Sequence, residues 1–415
     1  MALVLSKGGL KASSGFFGGL CKVAKGSQVT QVAFITGKKL RENRPPRPPP
    51  FDYRNKNYGQ WHVWTDPMEK RFDDNSKVIV VDGLPAAGKF EFCKKLADEL
   101  EMCHYPAVTF DDLHVDPHDF DYRTLNSKLP IDCQYVDINT FLRDPKGFNS
   151  TSVQVHQYLL RCMTYIDALA HVLNTGEGVV LERSPWSDRV FAKAMETCGY
   201  IPRRCMDYYQ SCNAISLYRL LRPHVCIYLD VPVETVKARI EKRCRPGEHD
   251  SPALTMQYLK ELDRIYKEMV LPDVSKHAHL LVYDWENEGY MDDVVDDIEV
   301  LECDPENILD HGEKLQDWHF ATVDQIRAAR TSFTNHKYQL LQGAIPCRWD
   351  VPEMLRSPQS SFKHYLTLEE LYEDEPGKRF SHGFDPTKDE GVLWKSKDRY
   401  EDSARPSRRF PLRRT

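Results

Sequence analysis

Short apolar runs alternate with longer stretches of helical periodicity between residues 77 and 301. Five runs of five to eight residues show no alternation with polar positions: 77–82, 104–110, 178–182, 224–231 and 279–284. A continuous apolar run of this length is typical of a strand that is buried on both faces, as in a parallel sheet.

The stretches between these runs predict helices. Their approximate bounds are 89–101, 152–173, 185–197, 203–221, 232–245, 252–271 and 291–301. Strands that alternate with helices predict an α/β domain, here a parallel five-stranded sheet with helices on both faces. The stretch 111–130 is rich in Asp, His and Pro and predicts a loop insertion.

Sequence outside this domain is less regular. Residues 43–50 are Asn-Arg-Pro-Pro-Arg-Pro-Pro-Pro, a stiff and extended run, and the polar and aromatic stretch that follows predicts an ordered or partner-bound arm. After residue 302 the periodicity weakens, apart from one helix near 315–330, which predicts an irregular, partner-binding C-terminal extension. We therefore divide the chain into segments 1–40, 41–76, 77–301 and 302–415.

The distribution of charge indicates an import signal. The formal net charge is −6, which gives no reason to expect a nucleic-acid partner, yet the first 41 residues contain seven Lys or Arg and no Asp or Glu. A basic, acid-free opening is typical of a mitochondrial transit peptide, which we place at 1–40, with cleavage between about 30 and 47. The alternative is a disordered basic tail.

Two further features limit the class of protein. No stretch approaches the roughly 18 consecutive apolar residues of a membrane-spanning helix, so we expect no direct membrane span. The 12 cysteines include no Cys-x-x-Cys pair and predict free thiols in a reducing compartment.

A phosphate-binding loop follows the first strand. Residues 83–90 read Gly-Leu-Pro-Ala-Ala-Gly-Lys-Phe, which fits G-x-x-x-x-G-K, with the required strand before it and helix after it. Backbone N–H groups of such a loop surround a phosphate, and the lysine reaches the outer phosphates. The predicted contacts are Gly83, Ala86, Ala87, Gly88 and Lys89. The next position normally supplies a hydroxyl to Mg²⁺, but here it is Phe90.

Three further motifs, in this order along the chain, resemble the deoxyribonucleoside kinases over about 77–301. They are Gln154 on the helix before the third strand, Glu182-Arg183-Ser184 after that strand, and the arginine-rich stretch 239–245. The resemblance implies that Gln154 reads the base of a purine nucleotide. It also implies phosphate contacts from Arg183, Arg239, Arg243 and Arg245, and a catalytic or Mg²⁺-binding role for Glu182. The alternatives are a solvated basic helix end for the arginines and a simple ion pair with Arg183 for Glu182.

Compared with the active members of that family, this chain lacks residues that catalysis requires. Active relatives place a carboxylate base just after the second strand, whereas this chain has Ala107 there, and Asp111 and Asp112 lie in a stretch that we expect to be exposed. Losses of this kind commonly reduce the rate by about a hundredfold or more each, so the sequence predicts a pseudo-kinase, with Glu182 as the catalytic or Mg²⁺-binding residue only if the chain is active. We interpret His114 and His118 as surface residues rather than metal ligands.

A closer resemblance is to the nucleoside-kinase-like accessory subunits of mitochondrial respiratory complex I. It rests on residues 175–184, 225–233 and 377–384, the last in a C-terminal extension that active kinases lack. The resemblance implies partners among the other subunits of complex I, a peripheral location on the matrix side of the inner membrane, and no redox chemistry. FAD has been attributed to such subunits, but there is no G-x-G-x-x-G fingerprint or other motif for it here.

Three hypotheses follow from the sequence. The first is a non-catalytic subunit that supports the assembly or stability of complex I and retains a nucleotide pocket. The second is an active mitochondrial kinase that transfers the ATP γ-phosphate to the 5′-hydroxyl of a deoxynucleoside. The third is a module that reports the nucleotide level of the matrix to its host complex.

Overall fold

Five parallel strands form the centre of the computed structural model of this protein, as the apolar runs predict. Their bounds are β1 Val78–Gly83, β2 Cys103–Tyr105, β3 Val179–Glu182, β4 Val225–Asp230 and β5 His279–Asp284. Their order in the sheet is β2-β3-β1-β4-β5, and every neighbouring pair is parallel. The phosphate loop thus leaves the central strand, at the edge where the carboxyl ends of its neighbours also meet.

The structure describes residues 35–374 except for 43, 45–46, 55, 57, 67, 69–70, 116–119 and 304–313. Residues 1–34 of the predicted transit peptide, His118 and the stretch 377–384 lie outside the described residues. The segment boundaries therefore stay predictions.

Helices surround the sheet, and further helices precede residue 77 and follow residue 301 along the chain. In the first half of the chain they are α1 Lys38–Arg41, α2 Gln60–Thr65, α3 Lys89–Leu100, α4 Asp111–His114, α5 Ile138–Arg143, α6 Ser150–Thr175, α7 Arg189–Thr197 and α8 Arg203–Ser216. In the second half they are α9 Val233–Arg243, α10 Met256–Ile265, α11 Leu271–Val274, α12 Met291–Glu299, α13 Val323–Asn335, α14 Lys337–Leu340 and α15 Pro358–Asp374. None of these described helices has the length and apolar character needed to cross a membrane.

Several predicted bounds differ from the structure for local reasons. The second strand ends at Tyr105 because Pro106 has no N–H to donate to a ladder. The helix predicted from 185 begins at Arg189, after a turn in which the Ser187 N–H donates to Ser184 Oγ. The helix expected near 315–330 is Val323–Asn335, preceded by a 3₁₀ turn at Gln316–Trp318.

The predicted insertion at 111–130 is more ordered than a loop. It contains α4 and a 3₁₀ helix, Tyr122–Ser127, and Arg123 pairs with both Asp111 and Asp121. His114, predicted to lie on the surface, is 6% exposed, and one ring nitrogen lies 2.7 Å from the carbonyl oxygen of Val136. That prediction was wrong because the ring's partner lies 22 residues further along the chain.

The described end of segment 1–40 and the N-terminal arm pack directly on the domain. Ile35 is fully buried, and the N–H of Thr36 donates to the side-chain oxygen of Asn75 at 2.8 Å. Arg41 is buried between two carboxylates, Asp73 at 2.8 Å and Glu101 at 3.0 Å. These contacts fix the stretch from residue 35 to the start of β1 against α3.

One fully buried arginine joins the arm, the domain and the C-terminal extension. Arg330 on α13 donates to Asn174 Oδ1 at 2.7 Å and forms an ion pair with Asp66 of the arm. Its guanidinium lies 4.0 Å from the ring centroid of Tyr58. Asn335 adds two hydrogen bonds to the backbone of Tyr58, at 2.9 and 2.6 Å. Because a buried charge is tolerated only when it is paired, these contacts hold the three regions together.

A glycine turn lets the arm pass over the end of α6. Gly176 has φ +71, and a Cβ added there would overlap the backbone carbonyl of Arg71. Arg71 itself donates to the carbonyl of Asn174 at 3.1 Å and pairs with Asp66. The arm and the α6–β3 turn are therefore in backbone contact.

We expect Arg330→Met to lower the free energy of unfolding by about 3 kcal/mol, because it removes one of the two buried cations paired with Asp66 and the donor to the side-chain oxygen of Asn174. Urea or thermal unfolding of the full chain measures this. Arg327→Met on the same helix removes a more exposed pair with Asp324 and should change stability by less than about 1 kcal/mol. Equal effects of the two variants would contradict the role assigned to Arg330.

Gly176→Ala and Gly199→Ala form a matched pair, because φ is +71 and +68 at the two positions while nothing lies within 4 Å of a Cβ added at Gly199. Both variants incur the strain of about 1–2 kcal/mol for a left-handed alanine. Only Gly176→Ala should also displace the arm, which limited proteolysis would detect as faster cleavage before β1. Equal cleavage of the two variants would count against the backbone contact.

Candidate functional site

The phosphate loop has the backbone conformation that its sequence predicts. It curls from β1 into α3 with positive φ at Gly83 (+151), Ala86 (+57) and Gly88 (+88). A Cβ at Gly83 would lie 2.8 Å from the carbonyl oxygen of Leu229 on β4, so glycine is required there. The helix N-terminus after Gly88 directs its unpaired N–H groups into the loop, which is the arrangement that favours an anion.

Lys89 is turned inward onto its own loop. Its Nζ donates to the carbonyls of Leu84 at 2.6 Å and Gly83 at 3.2 Å, and the residue is only 8% exposed. Burial, and secondarily the charge of Arg183, lowers the pKa of Lys89 well below its usual value. The ammonium group that the sequence predicts to contact phosphates therefore donates to two backbone oxygens instead.

Glu182 faces a histidine. Its Oε1 lies 3.5 Å from Nε2 of His104, and neither of these two buried atoms makes a hydrogen bond to a described residue. The ring of Phe90 meets His104 edge-on at 5.4 Å between centroids. The alternative ion pair between Glu182 and Arg183 is not seen among the described contacts. Sequence reasoning missed His104, for which the only signal is its place in the short strand β2.

A second carboxylate near the loop, that of Asp82, is bound to other side chains of the protein. Asp82, at the end of β1, accepts a hydrogen bond from Ser187 Oγ at 2.6 Å and lies 3.8 Å from the thiol of Cys226. Burial raises its pKa. Asp82 therefore links β1 to the turn after the Glu-Arg-Ser motif.

Gln154 is held by a buried polar network. Its amide N–H donates to Asp188 Oδ2 at 2.7 Å, Tyr209 donates to the same oxygen at 2.5 Å, and Arg161 pairs with the other oxygen. Burial lowers the pKa of Arg161 to about 10. The sequence points to Gln154 alone. Arg161, two helical turns further along the same face of α6, and Asp188, just after Glu-Arg-Ser, are the additional residues that the fold brings to it.

Arg183, directly after β3, has a strained backbone conformation. Its φ is +68, its guanidinium donates to the hydroxyl of Tyr266 at 3.0 Å, and it stacks 4.5 Å from the ring of Phe191. Tyr266 opens a π-helical turn, Tyr266–Val270, between α10 and α11. The arginine side chain is thereby fixed between two aromatic rings.

The three arginines of the arginine-rich stretch 239–245, which we call the lid, have different surroundings. Arg239 reaches the loop, donating to the carbonyls of Glu286 at 2.7 Å, Trp285 at 3.2 Å and Ala86 at 3.5 Å. Arg243 forms a two-pronged pair with Glu248 at 2.7 and 2.6 Å. Arg245 is exposed. Only Arg239 is therefore in contact with the phosphate loop in this conformation.

A cavity of about 150 Å³ adjoins the loop, lined on one side by Gly88 and Phe92 and on the other by Trp285 and Tyr290. Ligand pockets usually measure about 300–1,000 Å³, so this cavity alone is too small for a nucleotide, and none of the three lid arginines lines it. Ala107, at the position of the missing base, is exposed, as are Asp111 and Asp112.

Comparisons with known proteins agree with this architecture. The deoxynucleoside kinase family profile matches residues 79–313. NADH dehydrogenase [ubiquinone] 1 alpha subcomplex subunit 10, mitochondrial, of Mus musculus is 32% identical over 335 residues, covering 79% of this chain and 86% of the relative. The Bos taurus protein of the same name is 36% identical over 256 residues, covering 61% and 72%.

A solved structure, deoxyadenosine kinase from M. mycoides with bound dATP, covers 53% of this chain and 94% of its own, with 18% identity and a TM-score of 0.39. At that level of likeness the assignment rests on the sequence matches. The chain belongs to the deoxynucleoside kinase family, and within it to the group of the mitochondrial alpha subcomplex subunit 10 proteins.

Proposed function

We propose that this chain is a non-catalytic accessory subunit of mitochondrial respiratory complex I, bound peripherally on the matrix side of the inner membrane. The observation that carries the proposal is the extent of the likeness to subunit 10. It runs over 335 residues, well beyond the stretch 79–313 that the kinase family shares. The role follows from the named relatives, and the partners are the other subunits of that complex.

The geometry of the phosphate site supports a role without phosphoryl transfer. Transfer requires a base, a metal and free positive charge directed at the moving phosphate. Here Ala107 stands where the base is expected, Phe90 replaces the hydroxyl ligand, and Lys89 and Arg239 donate to backbone carbonyls. Each requirement is thus weakened by a different residue.

The same site supports a retained nucleotide pocket. The loop 83–89 keeps its anion-binding shape, and we assign recognition of the base to Gln154, whose side chain is held in place by its hydrogen bond to Asp188. We assign the phosphate contacts to Arg183 and to the lid residues Arg239, Arg243 and Arg245, of which Arg239 already touches the loop. We propose a purine nucleotide as a structural or regulatory ligand and include no redox cofactor.

An assembly test separates the accessory role from a kinase role. In cells depleted of this chain, we expect loss of the NADH-oxidising complex on native gels, and recovery with either the wild type or Glu182→Gln. The substitution removes the charge that an active kinase would need and leaves the shape unchanged. Recovery with the wild type alone would favour catalysis, and migration of the chain only as a free protein would exclude the subunit role.

Nucleotide binding has its own test in the purified full chain. We expect ATP or dATP to raise the melting temperature, because a ligand at about 100 times its dissociation constant adds about 2.7 kcal/mol to the stability of the folded state. Lys89→Met should lose most of this shift, whereas Lys94→Met, exposed on the same helix, should keep it. Phosphorylation of any natural deoxynucleoside that Lys89→Met abolishes would instead establish a kinase.

A further inference from the structure

The residues around the phosphate loop do not fit the Mg²⁺ ion that a nucleoside kinase fold implies. Mg²⁺ is held by oxygen ligands in near-octahedral geometry, usually a hydroxyl after the loop lysine, a carboxylate, water and phosphate oxygens. The position of the hydroxyl is occupied by Phe90, which is 47% exposed and has no oxygen to offer.

The nearest carboxylate faces a histidine. The side chain of Glu182 is 8% exposed, and its Oε1 lies 3.5 Å from Nε2 of His104 without a hydrogen bond to a described residue. The ring of Phe90 meets the same imidazole edge-on. An apolar ring and an imidazole, neither of which offers an oxygen, are therefore the neighbours of the single carboxylate oxygen that a metal could use here.

Asp82, the carboxylate beneath the loop, does not offer another ligand for a metal ion. Both oxygens of Asp82 face protein donors, Ser187 Oγ and the thiol of Cys226, and the residue is 1% exposed. In the described part of the chain, no group of three or more His, Cys, Asp or Glu side chains is arranged to hold a metal ion.

Arginine and lysine side chains are the remaining means of neutralising a bound phosphate chain. Arg239 already reaches the loop, Arg243 and Arg245 follow it on the lid, and Lys89 lies within the loop. Guanidinium groups bind phosphates through paired donors and remain charged at any physiological pH, so they can balance phosphate charge without a metal.

We infer that this site binds its nucleotide without Mg²⁺, with the lid arginines and Lys89 exchanging their present protein partners for phosphate oxygens and supplying the positive charge in its place. The inference rests on the proposed nucleotide pocket and adds to it the form of the ligand, the metal-free di- or triphosphate. It also gives a physical reason for binding without turnover, because the ion that would offset charge in the transition state lacks its hydroxyl ligand here.

The test compares nucleotide affinity in excess Mg²⁺ and in excess EDTA, using the full chain and radiolabelled ATP, dATP or dGTP. We expect equal affinities in the two conditions. A dissociation constant at least about tenfold higher in EDTA would overturn the inference and leave the nucleotide pocket standing. Absence of binding in both conditions would overturn the pocket and the inference together.

A reversal variant sharpens the test. Phe90→Ser combined with His104→Ala restores a hydroxyl and releases Glu182, so we expect binding that Mg²⁺ strengthens by about tenfold. Phe90→Leu, which keeps an apolar side chain without oxygen, should remain indifferent to the ion. Because Phe90 is half exposed, Phe90→Ser alone serves if the double variant does not fold. Equal Mg²⁺ dependence of the serine and leucine variants would contradict the assignment.

Discussion

The burial of Arg330 is the constraint around which the outer parts of the molecule are arranged. A guanidinium that has no exposed surface must have all its surroundings supplied by the protein. The arm contributes Asp66 and the ring of Tyr58, α6 contributes Asn174, and the extension contributes the arginine itself. None of these three regions can leave without exposing or orphaning a charge, so the kinase-like domain and its additions form one cooperative unit.

The central sheet and the phosphate loop can be predicted from the sequence, whereas the contacts of the segments around them cannot. Apolar runs identify all five strands, and β1, β3 and β4 are almost completely buried, as a run without polar alternation predicts. The edge strand β5 has the same kind of sequence but is only partly buried. The phosphate loop is equally plain, since Gly83 and Gly88 meet local conformational demands. The order in the C-terminal extension and the burial of His114 were missed, because each depends on a contact with a distant residue rather than on periodicity.

The same distinction applies to the site. Lys89 and Glu182 could be named from motifs, but their present partners could not. Lys89 bonds to carbonyls of its own loop, and Glu182 faces a histidine from another strand. Gln154 likewise meets Asp188, 34 residues away. A motif specifies which side chains reach a place, while the three-dimensional neighbours decide whether those side chains are available.

The inward bonds of Lys89 also decide how this protein behaves when no ligand is present. A buried ammonium group without partners would destabilise an empty site, so that vacant molecules would be prone to open and be degraded. Here Gly83 and Leu84 supply the oxygens, so the ammonium group has partners without any ligand. The proposed nucleotide would compete with these internal bonds, and the fraction of copies that hold it would follow the surrounding concentration as a graded saturation curve, without loss of the protein itself.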